Sequence, residues 1–108
     1  MSEDEVATMT TPLARAVDVG GEEILLPLDD LRGLLAELRR EALLRRGGEP
    51  LRHGAAQLER LIESDEEGPV PLREAEAADL LPALEALRLE QLLPPALERL
   101  RVALARVA

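Results

Sequence analysis

The chain has 108 residues, no cysteine and no aromatic residue, and its 22 acidic side chains outnumber 13 basic ones to give a net charge of −9. This charge argues against generic adhesion to nucleic acid or to an anionic membrane, because both need a cationic surface. The missing cysteines exclude disulfides and thiolate metal sites. The length allows one domain with a modest core, built largely from 24 leucines.

The beginning of the sequence has no features of a secretion signal. It is acidic where a signal needs a basic start. No apolar run in the chain approaches the roughly 20 residues that span a bilayer. We therefore expect a cytoplasmic protein that does not bind membranes, with residues 1–12 as a flexible acidic tail and residues 13–108 as a single small domain.

Residues 13–26 have the pattern of a β-hairpin. Val17 and Val19 alternate with small or polar residues, and Gly20-Gly21 can supply the positive φ angles of a type I′ turn. This turn would place Val17 opposite Ile24. Because an isolated hairpin is marginally stable in water, it must pack on helices or pair with another strand. Its edge is therefore a candidate assembly surface.

Apolar residues recur at helical spacing in four later segments. We predict helices at residues 29–46, 51–65, 73–90 and 94–107. For the first helix, Asp29 or Asp30 would cap the N-terminus, and the predicted buried stripe has Leu34 only at its margin. The members of that stripe are Leu28, Leu31, Leu35, Leu38 and Ala42.

Prolines complicate the second half of the chain. The stretch at residues 69–72 reads as extended, either a short edge strand or a linker, because a residue before proline avoids the α region. Pro82 falls inside the third predicted helix, where we expect a kink or a split, with Asp79 capping a restarted helix. The predicted fold is a mostly α α+β domain, a hairpin packed on three or four helices. An all-α small helical bundle is the second choice.

Candidate catalytic groups are sparse. His53 is the only histidine, and Ser2 and Ser64, the only serines, lie in acidic surroundings. Acid–base catalysis by histidine needs a nearby nucleophile or carboxylate, so an exposed histidine at a helix start is the simpler interpretation. The acidic run at residues 63–67 lacks the spacing of a calcium loop. We predict no catalytic, cofactor-binding or metal-binding residue.

An arginine cluster stands out against the acidic background. Five arginines face only two glutamates between residues 39 and 52. The cluster is a candidate site for an anion or an acidic partner, although cations near a helix C-terminus are favourable without any ligand. The exclusive use of arginine is attributed to a GC-rich genome. The candidate residues are Arg39, Arg40, Arg45, Arg46 and Arg52.

Several apolar side chains fall outside the predicted helix stripes, and a small domain has little interior left for them. Exposed apolar surface commonly marks an interface, and symmetric homodimers are the commonest assembly. The alternative is burial in corners of the chain's own fold. Together with the hairpin positions, the candidate partner-binding residues are Val17, Val19, Ile24, Leu43, Leu44, Leu89, Leu92 and Val102.

These observations favour a non-enzymatic protein–protein interaction module: a regulator, adaptor or assembly subunit. It would bind a partner protein or itself, as a homodimer, through apolar helix faces and the hairpin edge. Two alternatives belong to other classes. One is a nucleic-acid or anion binder that uses the arginines at residues 39–52, although the net charge disfavours nucleic acid. The other is a small enzyme that uses carboxylates and His53.

Overall fold

In the part of the chain that the structure describes, a hairpin is followed by four helices, with a third short strand between the second and third helices. A computed structural model describes residues 14–44, 48–89 and 91–107. Along the chain the elements are β1 (Ala14–Val19), β2 (Glu22–Pro27), α1 (Leu28–Leu44), α2 (Glu49–Glu63), β3 (Val70–Leu72), α3 (Glu74–Arg88) and α4 (Pro95–Val107). The predicted α+β architecture is confirmed. The predicted tail at residues 1–12 lies outside the described residues.

The turn of the hairpin follows from its two glycines. Gly20 and Gly21 have φ angles of 61° and 91°, the pair of positive values that a type I′ turn requires. A carboxylate oxygen of Asp18 accepts a hydrogen bond from the Gly21 N–H at 2.9 Å. The turn sets an antiparallel register in which Val17 lies opposite Ile24, as predicted.

The stretch at residues 69–72 contributes a strand rather than a linker. β3 pairs with β1 in parallel, so that Val70 lies beside Val17 and Leu72 beside Val19. The sheet order is therefore β2-β1-β3, and the first strand of the chain is the central one. A hairpin that is marginal alone becomes a three-stranded sheet packed on helices.

The two faces of the sheet differ in burial. Side chains of one face enter the core beneath the helices: Val17, Val19, Ile24, Leu26, Val70 and Leu72, none of them more than 5% exposed. The alternate residues point the other way, and Leu25 among them is 58% exposed. Period-two alternation thus divides the sheet into an inner face and an outer face.

The helices complete the core from the inner side. In α1 the buried residues are Leu31, Leu34, Leu38 and Ala42. Leu34 is therefore part of the buried stripe, whereas the predicted stripe members Leu28 and Leu35 are only partly buried. Arg15 of β1 donates a hydrogen bond to the carbonyl oxygen of Ile62 at 3.2 Å. This contact caps the last turn of α2, where carbonyl groups lack helical partners.

Helix α3 runs without interruption through Pro82, so the predicted split is wrong. Proline removes the hydrogen bond to the carbonyl of Ala78, four residues earlier. Ala78 and Pro82 are both exposed, so water can solvate that carbonyl. The predicted cap is also wrong. Asp79 lies within the helix and accepts a hydrogen bond from the side chain of Gln57 on α2 at 3.1 Å.

Candidate functional site

The two edges of the sheet differ in their capacity to pair with a further strand. At the β3 edge, Pro71 lies opposite Asp18 in the parallel register. Hydrogen bonds in a parallel pair run to the neighbours of the opposite residue, so Val70 and Leu72 face β1 and Pro71 faces outward. Proline has no N–H, so this edge lacks the donor at its centre. The β3 edge is a poor template for strand addition.

The β2 edge has free donors and acceptors. In a two-residue hairpin the residues that flank the turn, here Val19 and Glu22, form a hydrogen-bonded pair, and the pairs alternate from there. Ile24 therefore directs its backbone groups to β1, whereas Glu23 and Leu25 direct theirs away from the sheet. We call these four outward groups, the N–H and C=O of Glu23 and of Leu25, the β2 edge.

Helix α4 packs against β2 beside this edge, and one side of the helix is uncovered. Ion pairs hold this helix against α3, Arg101 with Glu85 at 3.7 Å and Arg88 with Glu98 at 3.7 Å. The uncovered side forms a shallow groove with Glu22 at the start of β2. We call the residues of α4 that line this groove the α4 flank: Glu98, Arg99, Val102, Ala103 and Arg106.

The α4 flank runs antiparallel to β2. Near the start of β2, Arg106 forms an ion pair with Glu22 at 3.6 Å. Toward the other end, Leu97 lines a depression with Asp29 and Asp30, which follow β2 in the chain. Arg99 lines the same groove as Glu22 and precedes Arg106 by two helical turns, so it is displaced by roughly 10 Å along the helix axis toward the end of β2.

The site has a mixed charge. On the outer face, Asp18 and Glu23 lie directly opposite each other as a pair of like charges. Neither carboxylate forms an ion pair with a residue that the structure describes. The α4 flank contributes two exposed arginines, of which Arg99 likewise has no ionic partner within the described ranges. A bound strand would therefore meet acidic groups on the outer face and both acidic and basic groups on the inner face.

The sequence predicts a binding surface at the hairpin edge, but the hairpin side chains predicted to contact a partner there are buried. Val17, Val19 and Ile24 are buried in the chain's own core, because they point to the inner face, and cannot contact a partner as side chains. Leu25 is the large apolar side chain that β2 exposes, and it is not among the candidates predicted from the sequence. The same register that pairs Val17 with Ile24 puts Leu25 on the outer face, so alternation along β2 was sufficient to find it.

The candidate leucines outside the helix stripes do not form one patch. Leu43 and Leu44 are exposed at the C-terminal end of α1. Leu89 and Leu92, the latter 95% exposed, lie between α3 and α4, in a segment that borders the start of α1. The length of α1, roughly 25 Å, separates the two pairs. Only Val102, 37% exposed on the α4 flank, lies beside the β2 edge.

The arginine candidates are partly neutralised by carboxylates. Arg39 forms an ion pair with Glu59 across α1 and α2, and Arg40 pairs with Glu37 one turn earlier in α1. Arg52 is exposed on α2. Arg45 and Arg46 lie outside the described residues. Binding of an anion by this cluster stays a prediction.

His53 lies in an exposed position on α2. It borders a shallow depression together with Asp79 and Pro82 of α3, but it forms no hydrogen bond with a described residue. Asp79 is engaged by Gln57 instead. Catalysis by His53 and carboxylates stays a prediction.

The described ranges 14–44, 48–89 and 91–107 contain no cluster of three His, Cys, Asp or Glu side chains that could hold a metal ion. Within the same ranges, no helix has the length and apolar character needed to cross a membrane. The β2 edge with the α4 flank is thus the site with the clearest chemistry: directional hydrogen-bonding groups beside an apolar and charged groove.

No protein-family model matches the chain, and no similar curated protein or solved structure was found.

Proposed function

We propose that this chain is a non-enzymatic protein-binding module, serving as a regulator, adaptor or assembly subunit, that accepts an extended protein segment at the β2 edge. The observation that carries the proposal is the outward direction of the backbone groups of Glu23 and Leu25, which follows from the hairpin register. In strand addition, main-chain hydrogen bonds supply affinity and alternate side chains supply specificity.

The side chains around the edge define what a bound segment should contain. On the outer face it would lie beside Glu23 and Leu25, one acidic and one apolar side chain. On the inner face its alternate residues would lie over the α4 flank, where Val102 offers apolar contact and Arg99 offers a positive charge. A segment whose successive side chains suit the outer face and the inner face in turn would match both faces.

The proposal can be tested without knowing the natural partner. A displayed library of short random peptides is selected against the immobilised full chain and then rescreened against Leu25→Pro and Leu25→Thr. Proline at residue 25 removes an N–H that points away from β1, so the hairpin keeps its own hydrogen bonds. Threonine keeps this N–H and removes the apolar side chain.

Peptides bound at the β2 edge should lose binding to the Leu25→Pro chain by at least about tenfold, because an edge donor is gone. They should bind the Leu25→Thr chain more tightly than the proline variant. Circular dichroism of both variants checks that the fold is intact. Selected peptides that bind the wild type and both variants equally would refute strand addition at this edge.

A further inference from the structure

We infer that the segment accepted at the β2 edge is β2 of a second copy of this chain, so that two molecules form a two-fold symmetric dimer with a continuous six-stranded sheet. The inference rests on the proposed function, since it uses the same edge. It goes further by naming the partner, the register and the reciprocal contacts.

Two-fold symmetry requires the two β2 strands to be antiparallel, and the outward groups then select the register. With Ile24 on the symmetry axis, Glu23 of each copy pairs with Leu25 of the other. This register satisfies the N–H and C=O of both residues in both chains. With Leu25 on the axis, Glu23 lies opposite Pro27, which has no N–H to donate. With Glu23 on the axis, two like charges lie directly opposite each other.

The Ile24-centred register also pairs opposite charges. It places Glu22 of one copy beside Leu26 of the other. Leu26 is four residues beyond Glu22 on β2, about 13 Å along the strand, and Arg99 lies about 10 Å along α4 from the Arg106 that contacts Glu22. Arg99, which has no ionic partner among the described residues, is displaced from Arg106 toward the end of β2 that lies beside Glu22 of the other copy, and symmetry makes this contact twice.

The centre of the α4 flank leaves room for this arrangement. Midway between Arg99 and Arg106 the flank carries the short side chains of Val102 and Ala103. They lie level with Ile24, and hence close to the symmetry axis. Short side chains there allow two α4 helices to approach to the usual interaxial distance of about 8–10 Å. Val102 of one copy then contacts Val102 of the other, which accounts for an apolar residue outside the buried stripe.

The assembly closes at two copies because the other sheet edge is blocked. Pro71 denies the β3 edge its central donor, so the six-stranded sheet does not extend into a filament. Electrostatic repulsion opposes association, because Asp18 and Glu23 of both copies lie on the common outer face. The two Glu22–Arg99 contacts on the inner face offset this repulsion.

Sedimentation equilibrium of the full chain, from about 1 μM to about 1 mM, tests the dimer and measures its dissociation constant. Glu22→Arg and Arg99→Glu should each raise that constant by about tenfold, and the double charge reversal should bring it back to within about threefold of the wild type. Arg52→Glu, the same charge change at an exposed site on α2, should leave it near the wild-type value. Circular dichroism confirms that each variant is folded.

Two outcomes would overturn the inference and are distinguishable from each other. If the chain stays monomeric over the whole range while displayed peptides still depend on the N–H of Leu25, the second copy is not the partner and the proposed function survives. If a dimer forms but is unaffected by Leu25→Pro and by the charge reversals, the β2 edge is not its interface, and the dimer proposed here is wrong.

Discussion

Gly54 of α2 and Ala83 of α3 lie where these two helices approach each other closely in the core. A Cβ atom added at Gly54 would lie 2.4 Å from the Cβ of Ala83 and 3.6 Å from a terminal methyl group of Leu38. The obstructing atom is a Cβ atom, which can move only with its backbone. Glycine at residue 54 is therefore what allows α2 to pack against α3 at this distance.

This contact predicts opposite effects for the same substitution at two helical glycines. Gly54→Ala should destabilise the fold by about 1–3 kcal/mol, because overpacking forces the helices apart. Gly33→Ala in α1 meets no atom within 4 Å and should stabilise the fold by about 0.5–1 kcal/mol through helix propensity. Urea denaturation gives both values. Equal effects at the two glycines would contradict the proposed packing.

Pro82 lowers the stability of α3, because its nitrogen cannot donate a helical hydrogen bond. Pro82→Ala should raise the free energy of unfolding by about 1–2 kcal/mol, because the carbonyl of Ala78 regains a helical donor while the unfolded chain gains some freedom. The exposed proline contributes little packing that could be lost. Thermal and urea denaturation measure the change.

Pro95→Ala is the matched control for that change. Pro95 is the first residue of α4, where proline suits the helix and no hydrogen bond is lost. This variant should be neutral or slightly destabilised. Stabilisation by Pro95→Ala as large as that by Pro82→Ala would mean that the gain does not come from the restored hydrogen bond.

Arg101 links α4 to α3 and makes stability depend on pH. Its side chain donates a hydrogen bond to Glu98 at 3.1 Å, and this bond, together with the nearby positive charges of Arg101 and Arg88, lowers the pKa of the Glu98 carboxyl below 4.5. A lowered pKa in the folded chain adds stability at neutral pH, which is lost as the pH falls through that pKa.

Arg101→Gln should therefore lower the midpoint of urea denaturation at pH 7, and the difference from the wild type should shrink as the pH falls below the ordinary pKa of a glutamate. Arg32→Gln breaks a long ion pair with the highly exposed Asp29 and should have little effect at either pH. A deficit in the Arg101→Gln variant that stays constant across this range would assign the role of Arg101 to packing rather than to charge.

The parts of the fold that depend on local chemistry could be predicted from the sequence. Gly20 and Gly21 specify the turn, the turn specifies the register, and apolar spacing places four helices to within a few residues of their observed ends. The parallel pairing of β3 with β1 was not predicted, because it joins segments about fifty residues apart that carry no common local signal. The same holds for Arg15, whose partner Ile62 is equally distant.

Other predictions were wrong where the sequence fits two arrangements equally well and tertiary contacts decide between them. Leu34 and Leu35 fit neighbouring stripes of α1, and the packing of the sheet and helices buries Leu34. Pro82 has the sequence pattern of a helix break, but its exposure lets solvent satisfy the freed carbonyl. The exposed leucines outside the predicted stripes lie in two separate places, because α1 separates Leu43 and Leu44 from Leu89 and Leu92. The β2 edge could be inferred from sequence, whereas its alignment with Arg99 needed the position of α4.

Amide hydrogen exchange, followed residue by residue by NMR, tests the open β2 edge most directly. In dilute solution the N–H groups of Glu23 and Leu25 should exchange rapidly, while the N–H of Ile24, bonded to β1, should be protected. At concentrations where the chain associates, Glu23 and Leu25 should become protected and Ile24 should change little. If Glu23 and Leu25 are as protected as Ile24 when dilute, or gain no protection on association, the β2 edge is not the binding site.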